Sequence, residues 1–163
     1  MRGRIFAVIA AVSLLVGCDH TTKHLAETSL RYSGPKVLVP GVLDLSYVQN
    51  HDVAFNLLSW MPTTWRAPLL LAIGVLAVVG LVVWLAKRRS APPLQAVAVA
   101  LILAGALGNT ADRLLRGYVV DFIHVHRWPV FNVADIAVVV GVILLLIGPK
   151  ITEWRSRAAP TPS

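Results

Sequence analysis

Four long apolar runs, separated by polar stretches, organise the chain. Ala67–Ala86, APLLLAIGVLAVVGLVVWLA, carries no charge and has the length a helix needs to cross a hydrocarbon core of about 30 Å. Leu94–Leu115 is apolar, apart from Gln95, until Asn109, and then carries Asp112 and Arg113. Val130–Ile151 is apolar except for Asn132 and Asp135 near its start and Lys150 at its end. The first run, Ile5–Leu25, is apolar only as far as Cys18. Between the first two runs, Lys36–Leu58 alternates apolar and polar residues around Pro40-Gly41 and Asn50-His51-Asp52, which predicts two or three short strands joined by turns. Ser59–Pro68, with Trp60 and Trp65, predicts a short helix along a membrane interface. The expected fold is an all-α membrane protein of one domain, residues 1–163. It is a bundle of four transmembrane helices, near 5–25, 67–86, 94–115 and 130–151, with a small β-rich extracytoplasmic cradle at 36–58 and a tail at 152–163.

Composition strengthens the membrane reading. Hydrophobic residues make up 56% and charged residues 14%, with a mean hydropathy of +0.71, well outside the soluble norm. The net charge of +7 does not point to nucleic acid, because the basic residues are dispersed and mostly flank apolar runs. With four spans, one side holds Arg2, Arg4, Lys87, Arg88, Arg89, Lys150, Arg155 and Arg157 against the single acid Glu153. Excess Lys and Arg marks the cytoplasmic side, so both termini are expected there. Trp60, Trp65 and Trp128 then fall near outer span ends, and Trp84 and Trp154 near inner ones, as an aromatic belt requires. The single cysteine excludes an intramolecular disulfide. Neither a CxxC nor an HExxH motif is present, and no metal or cofactor is expected.

In this topology the polar residues of the spans gather at one level, near the outer surface. They are Asp19 and Lys23 in the first span, Asn109, Asp112 and Arg113 in the third, and Asn132 and Asp135 in the fourth, with Asp121 in VVDFIHV between the last two. Ionisable groups at such depth are costly and usually mark a site. Asn109, Asp112 and Arg113 share one helix face by their i, i+3, i+4 spacing, and so do Asn132 and Asp135. Asp19 has Lys23 one turn later and Asp112 adjoins Arg113, so cations are expected to keep both acids ionised. Asp121 and Asp135 have no local cation. Brought together in a dry site they would share a proton, one acting as base and the other as acid. Asp135 and Asn132 fit equally well as helix caps, Asp112–Arg113 as a surface pair, and Gly105 and Gly108 as close-packing positions between helices. His124 and His126 are expected in a solvated outer loop. Composition and spacing reach a polar outer-leaflet site and no further.

GALGNTADRLLRGYVVDFI (Gly105–Ile123) followed by FNVADIA (Phe131–Ala137) closely resembles the paired signatures of the lipoprotein signal peptidase (signal peptidase II) family. The order of features, from Asp19 and Lys23 through Asn50 and Ala54-Phe55 to these two blocks, extends the resemblance over nearly the whole chain. It implies an aspartic endopeptidase of the bacterial inner membrane that removes the signal peptide from diacylglyceryl-modified prolipoproteins just before the lipidated cysteine. It places the catalytic aspartates at Asp121 and Asp135. Asp19, Lys23, Asn50, Asn109, Asp112, Arg113 and Asn132 fall at positions that resemble the family's structural or substrate-contacting ones. The implied partners are lipidated precursors and membrane lipids, and the enzyme is expected to act as a monomer. Two positions depart from the pattern: His51-Asp52-Val53 follows Asn50 where a glycine is usual, and Ile136 stands where serine usually follows the second aspartate.

Leu15-Val16-Gly17-Cys18 itself matches a lipoprotein cleavage signal. Because Asp19 and Lys23 lie just beyond it, the first helix is expected to stay in place and Cys18 to carry no lipid. Other readings are an inactive relative that binds lipidated precursors, a small transporter using the polar cluster, and a lipoprotein anchored through Cys18. A transport site would usually lie at the midplane, whereas these charges lie at the outer level.

Overall fold

The computed structural model describes residues 2–52, 57–88 and 92–158. Its elements follow in the order α1 (Arg2–Leu30), β1 (Lys36–Val39), β2 (Leu43–Asn50), α2 (Thr63–Lys87), α3 (Pro93–Arg116), β3 (Val119–Val125) and α4 (Val133–Ala158). The apolar runs thus become helices, since only a helix satisfies every backbone group inside a hydrocarbon layer.

Helix α3 is the hub. Its apolar window is 44% buried within the protein, against 6% for α1 and for α2, and it packs on α1, α2 and α4. Pro93 opens it, where a missing N–H costs nothing. Gly117 closes it at φ 79° and returns its N–H to the Arg113 carbonyl. The small residues toward its C-terminal end let neighbours approach closely. A Cβ at Gly105 would strike the Ala134 carbonyl oxygen and come within 2.7 Å of Val138 Cγ2 on α4. One at Gly108 would lie 2.6 Å from Asp19 Oδ2 on α1. Both glycines are therefore packing positions, as expected. Val12, Ala100, Leu103 and Ala104 form the core between α1 and α3.

Among the described residues three helices, rather than the four expected, are long and apolar enough to cross a membrane: Ile5–Leu30, Thr64–Lys87 and Pro93–Arg116. In α4 the described apolar stretch is Val133–Gly148.

The strands form one antiparallel sheet in the order β1-β2-β3. Two of them lie in the alternating segment, but the third, β3, comes from the apolar run after α3 that holds Asp121. Val119 and Val120 are buried in the strand, so its outward period-2 signal is weak. Pairing of β2 with β3 slips between Leu45↔Ile123 and Val48↔Asp121, a bulge of the kind that re-aims side chains beside functional sites. On the other side of β3, Phe131 exchanges backbone hydrogen bonds with Ile123 and accepts one from Phe122. That pairing fixes the segment leading into α4 against the strand. Ala26, Leu30 and Phe122 join the sheet to the outer end of α1.

Two expectations are corrected. No separate interfacial helix occupies Ser59–Pro68: the described residues 57–62 are turn and coil, and α2 starts at Thr63 with Pro68 inside it. A proline within the first turns of a helix removes few internal bonds, which lets the span absorb the segment. His124 lies in β3 rather than in a loop, with Nδ1 3.5 Å from Asp44 Oδ2 on β2. Ala54-Phe55 lies outside the described residues.

Candidate active site

The ammonium of Lys23, on α1, is almost fully buried and uses all three of its donors. It meets Asp19 Oδ2 at 2.7 Å, Asp112 Oδ2 at 2.9 Å and Asn109 Oδ1 at 2.9 Å. Asp19 also accepts the Ala134 N–H through Oδ1 at 2.9 Å, and so caps the start of α4 from α1. Asp112 Oδ2 accepts the Val120 N–H at 3.3 Å, which ties β3 to α3. One lysine and two aspartates thus fasten α1, α3, β3 and α4 together.

Asn109 carries this lattice onward. Its Oδ1 accepts from Lys23 and, at 3.2 Å, from Asn132 Nδ2, while its Nδ2 donates to Asp135 Oδ1 at 2.7 Å. Asn132 and Asp135 form a reciprocal cap at the start of α4. The Asp135 N–H donates to Asn132 Oδ1 at 3.0 Å, and the Asn132 N–H donates to Asp135 Oδ2 at 3.1 Å, the capping-box pattern. The capping reading and the site reading of these residues therefore hold together, with one oxygen of Asp135 in the cap and the other turned to Asn109.

Asp121 is reached from β3. It accepts Asn132 Nδ2 at 2.6 Å on Oδ1 and Asn50 Nδ2 at 2.7 Å on Oδ2. Among the described residues no lysine or arginine stands within ion-pair distance of Asp121 or Asp135, in contrast to Asp19 and Asp112. Both open on a cleft of about 600 Å³ lined also by Asn50, Asn109, Arg113 and, on the apolar side, Phe131 and Ile136. Burial pushes the Asp121 carboxyl up from 3.8 to about 6; the nearby Asp135 charge adds to this, and the two amide donors oppose it. The arrangement holds two carboxyl groups at one apolar cleft, one of which retains its proton far above the ordinary range.

A profile of signal peptidase (SPase) II matches residues 11–149. The chain is 38% identical over 148 residues to the lipoprotein signal peptidase of Geobacter metallireducens, covering 88% of this chain and 89% of that one. It is 41% identical over 138 residues to that of Acinetobacter baumannii, covering 82% and 77%. The chain belongs to the signal peptidase II family. Two solved bacterial membrane enzymes share its fold. One has a TM-score of 0.80 and 28% identity, covering 98% of this chain and 95% of that one. The other has 0.78 and 30%, covering 88% and 92%.

Every polar position singled out from the sequence joins one connected cluster in this family member. One pairing is corrected. Asp112 is held by Lys23 and, at 3.5 Å, by Arg116 Nε one turn later, not by its neighbour Arg113. Adjacent residues on a helix do not face each other, and Arg113 instead lines the cleft. Two participants were missed. Asp52 is buried and lines the cleft, and Arg66 on α2 reaches it. The Asn50-x-Asp52 spacing, which permits an Asn side chain to bond the backbone two residues on, was the available signal.

Proposed function

We propose that this chain is an intramembrane aspartic endopeptidase that cleaves lipidated lipoprotein precursors just before the modified cysteine. Asp121 and Asp135 are its catalytic pair. The observation that carries this reading is that these two acids, held among the described residues by amide N–H groups and no cation, open together on the cleft. Asp19 and Asp112, by contrast, are both ion-paired with Lys23.

In this mechanism the pair holds one proton. The ionised carboxylate takes a proton from water as its oxygen bonds the scissile carbonyl carbon. The protonated one, Asp121 by its raised pKa, gives its proton to the carbonyl oxygen. Collapse of the tetrahedral adduct breaks the C–N bond; Asp135 passes the proton taken from water to the leaving amine, and a hydroxyl of the adduct returns a proton to Asp121. Asn50, Asn109 and Asn132 hold the carboxylates in place, and the Arg113 guanidinium in the cleft offers donors to substrate carbonyl oxygens. The apolar wall suits a signal helix and acyl chains.

The proposed topology has four spans, α4 crossing with its shorter apolar stretch, and both termini in the cytoplasm of a bacterial inner membrane. The site then lies near the outer leaflet under the sheet. The basic residues at the inner span ends support this orientation. Reporter fusions after Arg89 and Ser163 should read as cytoplasmic, and one after Arg127 as external.

The direct test is cleavage of one purified diacylglyceryl-modified precursor. Wild-type protein should release the signal peptide with the lipidated cysteine at the new N-terminus, and EDTA should leave the rate unchanged. Binding without cleavage, or loss with EDTA and recovery with zinc, would defeat the reading.

A further inference from the structure

Asp52 is bound in two directions. Its carboxylate accepts the Leu58 N–H on Oδ1 at 3.2 Å and stands 3.4 Å from Arg66 Nη1. Its backbone faces toward the site. The Asp52 N–H donates to Asn50 Oδ1 at 2.9 Å, and its carbonyl stands 3.4 Å from Arg113 Nη2. An Asn side chain has one acceptor end and one donor end. Fixing the Asn50 oxygen on Asp52 leaves its NH₂ for Asp121, where it donates at 2.7 Å.

Arg66 completes the fastening. Its Nε donates to the Met61 carbonyl at 2.7 Å and its Nη2 to the Ser59 carbonyl at 2.6 Å. One guanidinium thus gathers the turn before α2 and the carboxylate beyond β2. Both charges are largely shielded, with side chains 17% and 6% exposed, so their attraction exceeds that of a pair in open water. At 3.4 Å the contact depends on charge more than on hydrogen-bond geometry.

We propose that Asp52 and Arg66 are positioning residues: the pair clamps the end of β2 to the start of α2 and thereby aims the Asn50 amide at Asp121 and the Arg113 guanidinium into the cleft. The assignment rests on the catalytic reading given above for its consequence in turnover, but the aim of Asn50 can be read without turnover.

The experiment compares Asp52→Asn, Arg66→Gln, the double variant and Arg66→Lys in detergent micelles. The side-chain amide resonance of Asn50, identified by its absence in Asn50→Ala, should move in the first three variants and return toward its wild-type position in Arg66→Lys. With a lipidated precursor, kcat per folded molecule should fall by roughly 10- to 100-fold, as for small misplacements of reacting groups, with KM within about twofold. The double variant should be no worse than the worse single one, because both changes remove the same link. An unmoved Asn50 resonance overturns the proposal whether or not the wild type cleaves. So does strict additivity, or a loss confined to abundance and thermal midpoint with kcat intact. A wild type that fails to cleave would instead refute the catalytic reading, while the Asn50 resonance would still decide the clamp.

Discussion

Asp19, Asp112 and Asp121 are buried almost equally, at 2%, 3% and 2% exposed, yet they occupy two regions of opposite character. Around Lys23, two carboxylates and an amide oxygen close on one ammonium and every donor is used, with Arg116 standing 3.5 Å from Asp112 as a second cation. Around the cleft, Asp121 and Asp135 receive, among the described residues, neutral amide donors. Burial depth alone therefore does not distinguish a structural acid from a reactive one; the kind of partner does. A cation stabilises the ionised form and silences the group, whereas amides hold a carboxyl in place while leaving a proton available. Asn109 and Asn132 stand on the boundary. They connect the two regions sterically and insert neutral dipoles between them.

The comparison can be broken most severely at the cleft. Asp121→Asn and Asp135→Asn should each cut precursor cleavage by at least ~10²–10⁴-fold while the protein still inserts and accumulates. Near-normal turnover by either variant would dissolve the distinction between the two regions. Removing the cation should do the reverse. Lys23→Met strands two buried carboxylates, a loss on the order of 3–5 kcal/mol, and should deplete folded protein in membranes. Asp19→Asn and Asp112→Asn should act more mildly and mainly through abundance.

A pH series sharpens the contrast at Asp121. Its folded pKa of about 6 lies above the ordinary 3.8, so the folded state binds the proton more tightly than the unfolded chain. Stability from this group is fully present below about 3.8 and is lost as pH rises through 6. The unfolding free energy of wild type relative to Asp121→Asn should therefore rise on acidification between those values, by ~3 kcal/mol at most, with a matching rise in relative thermal midpoint. A flat difference would mean that Asp121 is not held in a dry site. Gly108→Ala probes the closed region by pushing a methyl group against Asp19; about 1–3 kcal/mol of destabilisation is expected from such overpacking. The smallest effect belongs to Cys18, which is exposed on α1. Cys18→Ala should leave insertion and cleavage unchanged, and the intact mass should show no lipid and no cut before this residue.

The chain's apolar runs and the polar residues interrupting them were legible because lipid makes both signals severe: long spans need continuous apolar sequence, and stray charges there need a reason. What could not be read were pairings that cross between elements. Asp112 has Arg113 beside it in sequence, but the helix turns that neighbour away and supplies Lys23 from another helix. The strand Val119–Val125 is apolar on both faces at its start, so periodicity did not mark it as a strand. Asp52 and Arg66 lie fourteen positions apart and carry no shared periodicity. Only the approach of β2 to the start of α2 makes them partners.

In the proposed mechanism, the box that begins α4 constrains how the chemistry can proceed in time. Asp135 donates its backbone N–H to Asn132 and accepts the Asn132 N–H on Oδ2, so a change of its side-chain rotamer would also uncap a helix. The carboxylate is thus a fixed post rather than a swinging arm. Alignment of the scissile bond then depends on the incoming peptide's travel and bending, and a peptide too stiff to unwind beside α4 would dwell in the cleft uncut.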